Sequence, residues 1–341
     1  MEIVWGGLCI LIKTLIEEPY YSNVIIQILL IAVISLNLEV IYFYIWNLYI
    51  RVKIITTRGQ TAGVREISLA SQRLNAGDLS YAYLVGLIEG DGWFRMHTSK
   101  VCSPLRGVTK KGKYLTYELG IEVSIKDVQL IYKIKNLLGV GVIVFRRDEG
   151  RPETVILRVR DKSHLIKFIL PIFDKYPLLS NKQYDYLRFK DALLSGIIYS
   201  KDLPEYKRPT NPLNSVESIV SVHYLSAWLV GFIEAEGCFC IYKPTKDPSL
   251  VASFEISQTN GQILILAICK YLSLTQSVKV DKTNNSKIKV SSVRSVENVI
   301  KFMQKAPVKL LGNKKLQYLL WLKELRSIPR YYKKFKIPDK Y

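Results

Sequence analysis

The chain has 341 residues, of which 49% are hydrophobic, so it is long enough to bury the cores of about two ordinary domains. Its 49 lysines and arginines outnumber its 29 aspartates and glutamates, and the resulting charge of +20 favours a polyanionic partner such as nucleic acid or an acidic membrane surface. Five cysteines without a C-x-x-C pair and three scattered histidines argue against a disulfide framework, a zinc site and a Cys/His nucleophilic centre.

The first distinctive element is the apolar segment 24–50, which is followed by Arg51 and Lys53. It is long enough to span a bilayer, although four polar residues interrupt it. Two interpretations therefore stay open: a segment that inserts into a membrane, or an apolar leader that is buried or removed by processing. Nearly all of the excess charge, +19 of the +20, belongs to residues 78–341.

A short phrase then occurs twice, as "LVGLIEGDG" and as "LVGFIEAEG". Each copy has apolar residues at helical spacing and two small residues four positions apart, which are Gly86 and Gly90 in the first copy and Gly231 and Ala235 in the second. Small residues at this spacing let two helix backbones approach closely. The two phrases are therefore predicted to be helices that pack against each other.

Each phrase ends in an acid, Asp91 or Glu236, followed by a glycine suited to ending a helix. A carboxylate at the negative end of a helix dipole is unfavourable, and two such ends brought together repel, so a cation is expected there. Hard divalent ions take oxygen ligands, and we expect Mg²⁺, for which Mn²⁺ could substitute. The predicted metal site consists of Asp91 and Glu236 with Gly90 and Ala235.

The repeat extends beyond these phrases, because alternating strands at 117–127 and 251–261 are each followed by an amphipathic helix and by further strands at 154–160 and 286–293. This predicts an α+β protein with two pseudo-twofold-related α-β-β-α-β-β-α units. In chain order, the predicted domains are a leader and linker at 1–77, the first repeat at 78–199, an inter-repeat linker at 200–220 and the second repeat at 221–341.

In both halves the strands alternate apolar residues with basic or polar ones, which predicts a sheet face laid against nucleic acid, with an ordinary solvated face as the alternative. The candidate nucleic-acid contacts, for which the resemblance described below implies DNA, are Lys110, Lys111, Lys113, Arg146, Arg147, Arg158, Arg160, Lys243, Lys246, Lys279, Lys287 and Lys289.

Two lysines recur at matching places, Lys182 in "SNKQ" and Lys314 in "GNKK". They could offset charge that develops on a phosphate or lower the pKa of an attacking water, although ordinary surface lysines would have the same spacing. Gln258, at the end of the second alternating strand, could orient a water, while alignment gives Ile125 as its counterpart.

These residues resemble the LAGLIDADG family of homing endonucleases in its single-chain, two-motif form, including the endonuclease/maturases encoded in fungal mitochondrial apocytochrome b introns. The likeness covers about residues 78–341 and also includes the segments 110–122, 180–189, 226–239, 292–302 and 306–323. Residues 95–109 depart from it, because the hairpin there is longer than expected.

The resemblance implies a monomer in which two four-stranded sheets form a saddle on double-stranded DNA at an intron insertion site. It implies Mg²⁺-dependent cleavage of both strands that leaves 3′ overhangs, with Asp91 and Glu236 binding the metal and with Lys182, Lys314 and Gln258 completing the site. It also implies a mitochondrial location and a maturase role in splicing a group I intron RNA. A maturase that no longer cuts DNA is the alternative, and a retained leader would tether the protein to the inner membrane.

Overall fold

The first half of the protein builds one sheet and its helices. The computed structural model describes residues 78–98, 114–245 and 249–341, so the leader segment 24–50 lies outside the described residues. The first-half elements are α1 Asp78–Asp91, β1 Gly92–Thr98, β2 Leu115–Ser124, α2 Val128–Leu138, β3 Val142–Arg146, β4 Thr154–Val159, α3 Lys162–His164, a π-helical turn Leu165–Ile169, α4 Leu170–Lys175 and α5 Lys182–Leu194.

The second half repeats this order after a short helix. Its elements are α6 Val216–Val220, α7 Leu225–Glu236, β5 Cys238–Tyr242, β6 Val251–Thr259, α8 Gln262–Tyr271, β7 Lys279–Val280, β8 Asn285–Val290, α9 Val293–Lys305, α10 Asn313–Leu325 and α11 Pro329–Tyr332. The predicted α+β class is confirmed. One difference is that each predicted final helix is two helices, because a proline-containing turn separates the "IKF" helix from the helix that carries the lysine.

The strands form two antiparallel four-stranded sheets with matching orders, β1-β2-β4-β3 and β5-β6-β8-β7. In β4, Val155, Leu157 and Val159 are buried in the core, whereas Arg158 points to the opposite face, as the alternation predicts. The prediction of a polar outer face is wrong at Ile156, which lies on that face but is only 1% exposed. It is covered instead by side chains of neighbouring strands, since Glu122 and Val144 are its cross-strand partners.

Helices α1 and α7 form the centre of the molecule, and their interior faces are almost completely buried. A Cβ on Gly86 would lie 1.9 Å from the carbonyl oxygen of Trp228, and a Cβ on Gly231 would lie 1.9 Å from the carbonyl oxygen of Tyr83. Only glycine permits this backbone contact at either position. The predicted close packing of the two phrases is therefore confirmed, and it is symmetric.

Helix ends are capped as the local sequence indicates. Ser292 begins α9 by accepting the backbone N–H of Ser295, and Gly139 ends α2 in the left-handed region at φ 65°. None of the helices in the described ranges is both long enough and apolar enough to cross a membrane.

Candidate active site

The carboxyl ends of α1 and α7 lie together at the point where strands β1 and β5 begin. A Cβ on Gly90 would lie 2.4 Å from the Cβ of Ala235 and 3.3 Å from Oε1 of Glu236. The small residues at these positions therefore bring the last turns of the two helices together. Asp91 and Glu236 follow directly and belong to the same cluster.

Both acids are strained electrostatically. Burial raises the pKa of Asp91 from 3.8 to about 7, and the neighbouring Glu236 carboxylate adds to the rise. Burial also raises the pKa of Glu236, while Lys182 and Lys314 oppose the rise in both acids. Neither carboxylate has a hydrogen-bond partner among the described residues. Two carboxylates in this state favour a bound cation.

The two predicted lysines occupy equivalent positions beside these acids. Lys182 Nζ donates to the carbonyl oxygen of Gly92 at 2.8 Å, and Lys314 Nζ donates to that of Gly237 at 2.6 Å. Lys182 also donates to the carbonyls of Ile88 at 2.9 Å, Glu89 at 2.6 Å and Gly90 at 3.3 Å. Each ammonium group therefore stabilises the negative end of a motif helix, a structural task that the sequence alone did not reveal.

A second acid in each motif, Glu89 or Glu234, was missed by the sequence analysis. Glu89 is fully buried and accepts the backbone N–H groups of Leu179 at 2.8 Å and Ser180 at 3.1 Å. Glu234 accepts the equivalent N–H of Leu311 at 2.6 Å. These glutamates fix the turns that lead into the two lysine helices. The available signal was their recurrence two positions before the predicted metal-binding acid.

The donor set suits a hard divalent cation. Asp91 and Glu236 offer carboxylate oxygens, and the Gly90 carbonyl, although engaged by Lys182 at 3.3 Å, retains a second lone pair. Within the described ranges no group of three or more acidic, histidine or cysteine side chains is arranged to hold a metal. The oxygen donors of Asp91, Glu236 and Gly90 fit a hard divalent ion that completes its shell with water and phosphate.

A cavity of about 280 Å³ opens beside Asp91 and is also lined by Glu122, Asp127, Lys314 and Gln317. The strand register makes Val123, not Ile125, the counterpart of Gln258, because Trp93 opposes Gly120 and Cys238 opposes Glu255.

Both residues lie on the core-facing sides of their strands: Val123 opposes Val155 and lines the cavity beside Asp91, and Gln258 opposes Ser286. The water-orienting role of Gln258 stays a prediction.

On the first sheet, the candidate DNA contacts are partly neutralised. The carboxylate of Glu118, which is 2% exposed, accepts Arg160 Nε at 2.5 Å and lies 3.9 Å from Arg158 Nε. Arg146 pairs with Asp148 at 2.6 Å, and Arg147 lies 3.5 Å from Glu153.

On the second sheet two of the basic residues share one acidic partner. Lys287 and Lys289 both pair with Glu255, Lys289 at 2.6 Å. Lys279 lies directly opposite Lys287 in the ladder, and exposed Lys243 follows β5. Like charges opposite each other are unfavourable without a polyanion. Lys110, Lys111, Lys113 and Lys246 lie outside the described residues.

Comparison with known proteins agrees with this architecture. A family model described as "LAGLIDADG endonuclease" matches residues 84–193 and 229–325. The chain is 33% identical over 260 residues to the probable intron-encoded endonuclease Cox1-I1b of Schizosaccharomyces pombe, which covers 72% of this chain and 64% of that protein. It is 27% identical over 237 residues to the probable intron-encoded endonuclease aI3 of Dictyostelium citrinum, covering 68% of this chain and 89% of that protein.

Solved structures share the fold. The I-LtrWI LAGLIDADG homing endonuclease bound to target DNA is 25% identical, with a TM-score of 0.56 and coverage of 71% of this chain and 89% of that one. The meganuclease I-SmaMI bound to uncleaveable DNA is 24% identical, with a TM-score of 0.58 and coverage of 72% and 90%.

Proposed function

The chain belongs to the LAGLIDADG endonuclease family, and from this we propose that it cleaves both strands of double-stranded DNA at a specific site, using a divalent cation. The observation that carries the proposal is the pair Asp91 and Glu236, which are delivered to one place by two closely packed helices. Each half of the protein contributes one acid and one lysine. A duplex has two scissile strands, and a site built from two equivalent halves matches them.

The chain's own groups have separate tasks in hydrolysis, which adds one water across one phosphodiester bond in each strand. Asp91 and Glu236 would hold the cation, with Gly90 and Ala235 beside them. A bound Mg²⁺ would supply Lewis-acid stabilisation of negative charge. Lys182 and Lys314 lie close enough to both acids to oppose the rise in their pKa values that burial causes, and their positive charge would also favour the charge that develops on a phosphate.

The test is cleavage of a supercoiled plasmid that carries the joined sequence of the exons flanking the reading frame. Asp91→Asn and Glu236→Gln should each reduce cleavage more than about 1,000-fold, since each removes a charged ligand of the cation. Both variants should still bind the target, which fluorescence anisotropy in Ca²⁺ would measure. Unimpaired cutting by both variants would show that Asp91 and Glu236 are not the ligands of the catalytic cation.

The cation and the product ends need separate measurements. We propose Mg²⁺, with Mn²⁺ as a substitute, because the available donors are oxygens. We further propose 3′ overhangs, which sequencing of the cut ends would establish. Blunt products, or cleavage that survives exhaustive chelation, would contradict this part of the proposal.

The biological setting is proposed from the relatives, several of which are described as intron-encoded or mitochondrial. The protein would act as a monomer in mitochondria, start the homing of its intron, and assist splicing of the group I intron RNA that encodes it. A splicing assay beside a cleavage assay on one preparation separates this role from that of a maturase without DNA cleavage. Carbonate extraction of the full chain would test a tether to the inner membrane.

A further inference from the structure

The linker between the two repeats is bound to the beginning of helix α5, which carries Lys182. Asn181 Nδ2 donates to the carbonyl oxygens of Pro209 and Thr210, both at 3.2 Å. Asn214 Nδ2 donates to the carbonyl of Leu179 at 3.1 Å. The linker thus covers the turn that precedes Lys182.

Within this contact, linker side chains enclose one acid of α5, Asp185. Arg208 donates to both oxygens of this carboxylate, with Nε at 3.0 Å from Oδ1 and Nη2 on Oδ2. The hydroxyl of Tyr206 donates to Oδ1 at 2.8 Å. The Asp185 side chain is only 18% exposed, so its negative charge is largely withdrawn from solvent and depends on these partners.

The position of Asp185 makes it a competitor for Lys182. Residues three apart on a helix are neighbours on its surface, and an aspartate there can pair with the lysine ammonium. A free carboxylate would draw the ammonium away from the carbonyls of Gly92 and of the last turn of α1. Because Arg208 and Tyr206 already occupy both oxygens of Asp185, Lys182 stays on the helix end beside the two acids.

In the second half no carboxylate lies at the corresponding position, so no arginine is needed to occupy it. The counterpart of Asp185 is Gln317, three residues after Lys314, and a neutral amide does not compete strongly for an ammonium group. Gln317 lines the same cavity as Asp91 and Lys314. The two half-sites therefore differ in charge at one matched position, and the arginine is present where the acid is.

We propose that Arg208, aided by Tyr206, is a positioning residue of one half-site: it sequesters Asp185 and thereby keeps the Lys182 ammonium on the carbonyl oxygens at the end of α1, beside the metal-binding acids. The proposal rests on the proposed endonuclease function and extends it to the linker. It implies that damage to the linker impairs one strand cleavage more than the other. A linker that only tethers the repeats would have no such effect.

The experiment measures the rate of each strand cleavage with end-labelled duplex target and with supercoiled plasmid. Lys182→Met and Lys314→Met first identify which strand each lysine serves. Arg208→Ala should then slow the strand that depends on Lys182 by roughly 10- to 100-fold, as expected for a displaced charged group, and should accumulate nicked plasmid. The decisive variant is Arg208→Ala combined with Asp185→Gln, which copies the second half-site and should restore double-strand cleavage.

Lys190→Ala is the matched control, because Lys190 lies on the same helix but pairs with Asp174, and both strand rates should be unchanged. Thermal unfolding of every variant identifies loss of fold. Equal slowing of both strands, or slowing that Asp185→Gln does not rescue, would overturn the positioning role. Absence of cleavage by the unaltered protein would instead count against the endonuclease function itself.

Discussion

The turns that lead into the two lysine helices, 179–182 and 311–314, share one frame and differ in its surroundings. In both, a buried motif glutamate accepts backbone N–H groups and the lysine donates to the carbonyl that follows the motif acid. In the first, however, the linker covers the turn, whereas in the second Asp127 Oδ1 accepts the N–H of Asn313 at 2.6 Å. The two turns thus share their hydrogen bonds to the motif helices but are supported by different neighbours, so the two halves are equivalent only in part.

The contact between helices α1 and α7 at Gly86 and Gly231 should be the feature most sensitive to substitution, and it should respond equally in the two halves. Gly86→Ala and Gly231→Ala each place a Cβ 1.9 Å from a carbonyl oxygen, so each should destabilise the protein by about 4 kcal/mol or more in urea unfolding. Gly150→Ala is the control, because its φ of +75° is strained but no atom lies within 4 Å, and it should cost about 1 kcal/mol. If only one of these two contact glycines tolerates alanine, the helices are not packed equivalently.

The two lysines should differ in how much they contribute to stability. The three N–H donors of the Lys182 ammonium are shared among four carbonyl oxygens, whereas the Lys314 ammonium donates to one. Lys182→Met should therefore lower the free energy of unfolding by roughly 3 kcal/mol and Lys314→Met by roughly 1 kcal/mol, measured without divalent cation. Equal losses would mean that the additional carbonyl contacts of Lys182 contribute nothing to stability.

Much of this symmetry could be predicted from the sequence, because it depends on local rules. The four-residue spacing of Gly86 from Gly90 and of Gly231 from Ala235 predicts helix packing, and the acid that ends each phrase predicts a shared site. The roles of Glu89 and Asp185 could not be predicted, since their partners are backbone N–H groups and linker side chains about 20 to 90 residues away in the chain. A motif pattern specifies which face a residue occupies, whereas its partner depends on the tertiary fold.

The paired acids should give the protein a distinctive pH dependence. With its pKa raised to about 7, Asp91 keeps a proton in the folded state that the unfolded chain releases near pH 4. Stability from this group is therefore present at low pH and is lost as pH rises from about 4 to about 7. Asp91→Asn should stabilise the metal-free protein by roughly 2 kcal/mol at pH 8 relative to its effect at pH 4.

The measurement is urea unfolding of both proteins at the two pH values. Divalent cation should stabilise the unaltered protein at pH 8 and should stabilise Asp91→Asn much less, since the variant has lost a ligand. A stability difference that is the same at both pH values would mean that Asp91 is not held in a strained, charged state.

The smallest expected difference between the halves is in their sheets, and it should appear in the salt dependence of DNA affinity rather than in stability. Lys279 is exposed and has no acidic partner among the described residues, whereas Arg160 is already paired with Glu118. A cation that neutralises a DNA phosphate contributes about 0.9 to the slope of log affinity against log salt concentration, and one shared with a carboxylate contributes less. Lys279→Ala should therefore reduce the slope by about 0.9 and Arg160→Ala by less than about half of that. Lys305→Ala, at the end of α9 on the helical side, should leave it unchanged. A larger reduction of the slope for Arg160→Ala would show that DNA phosphate displaces Glu118 from Arg160. The first sheet, despite its internal ion pairs, would then bind the DNA backbone as strongly as the second.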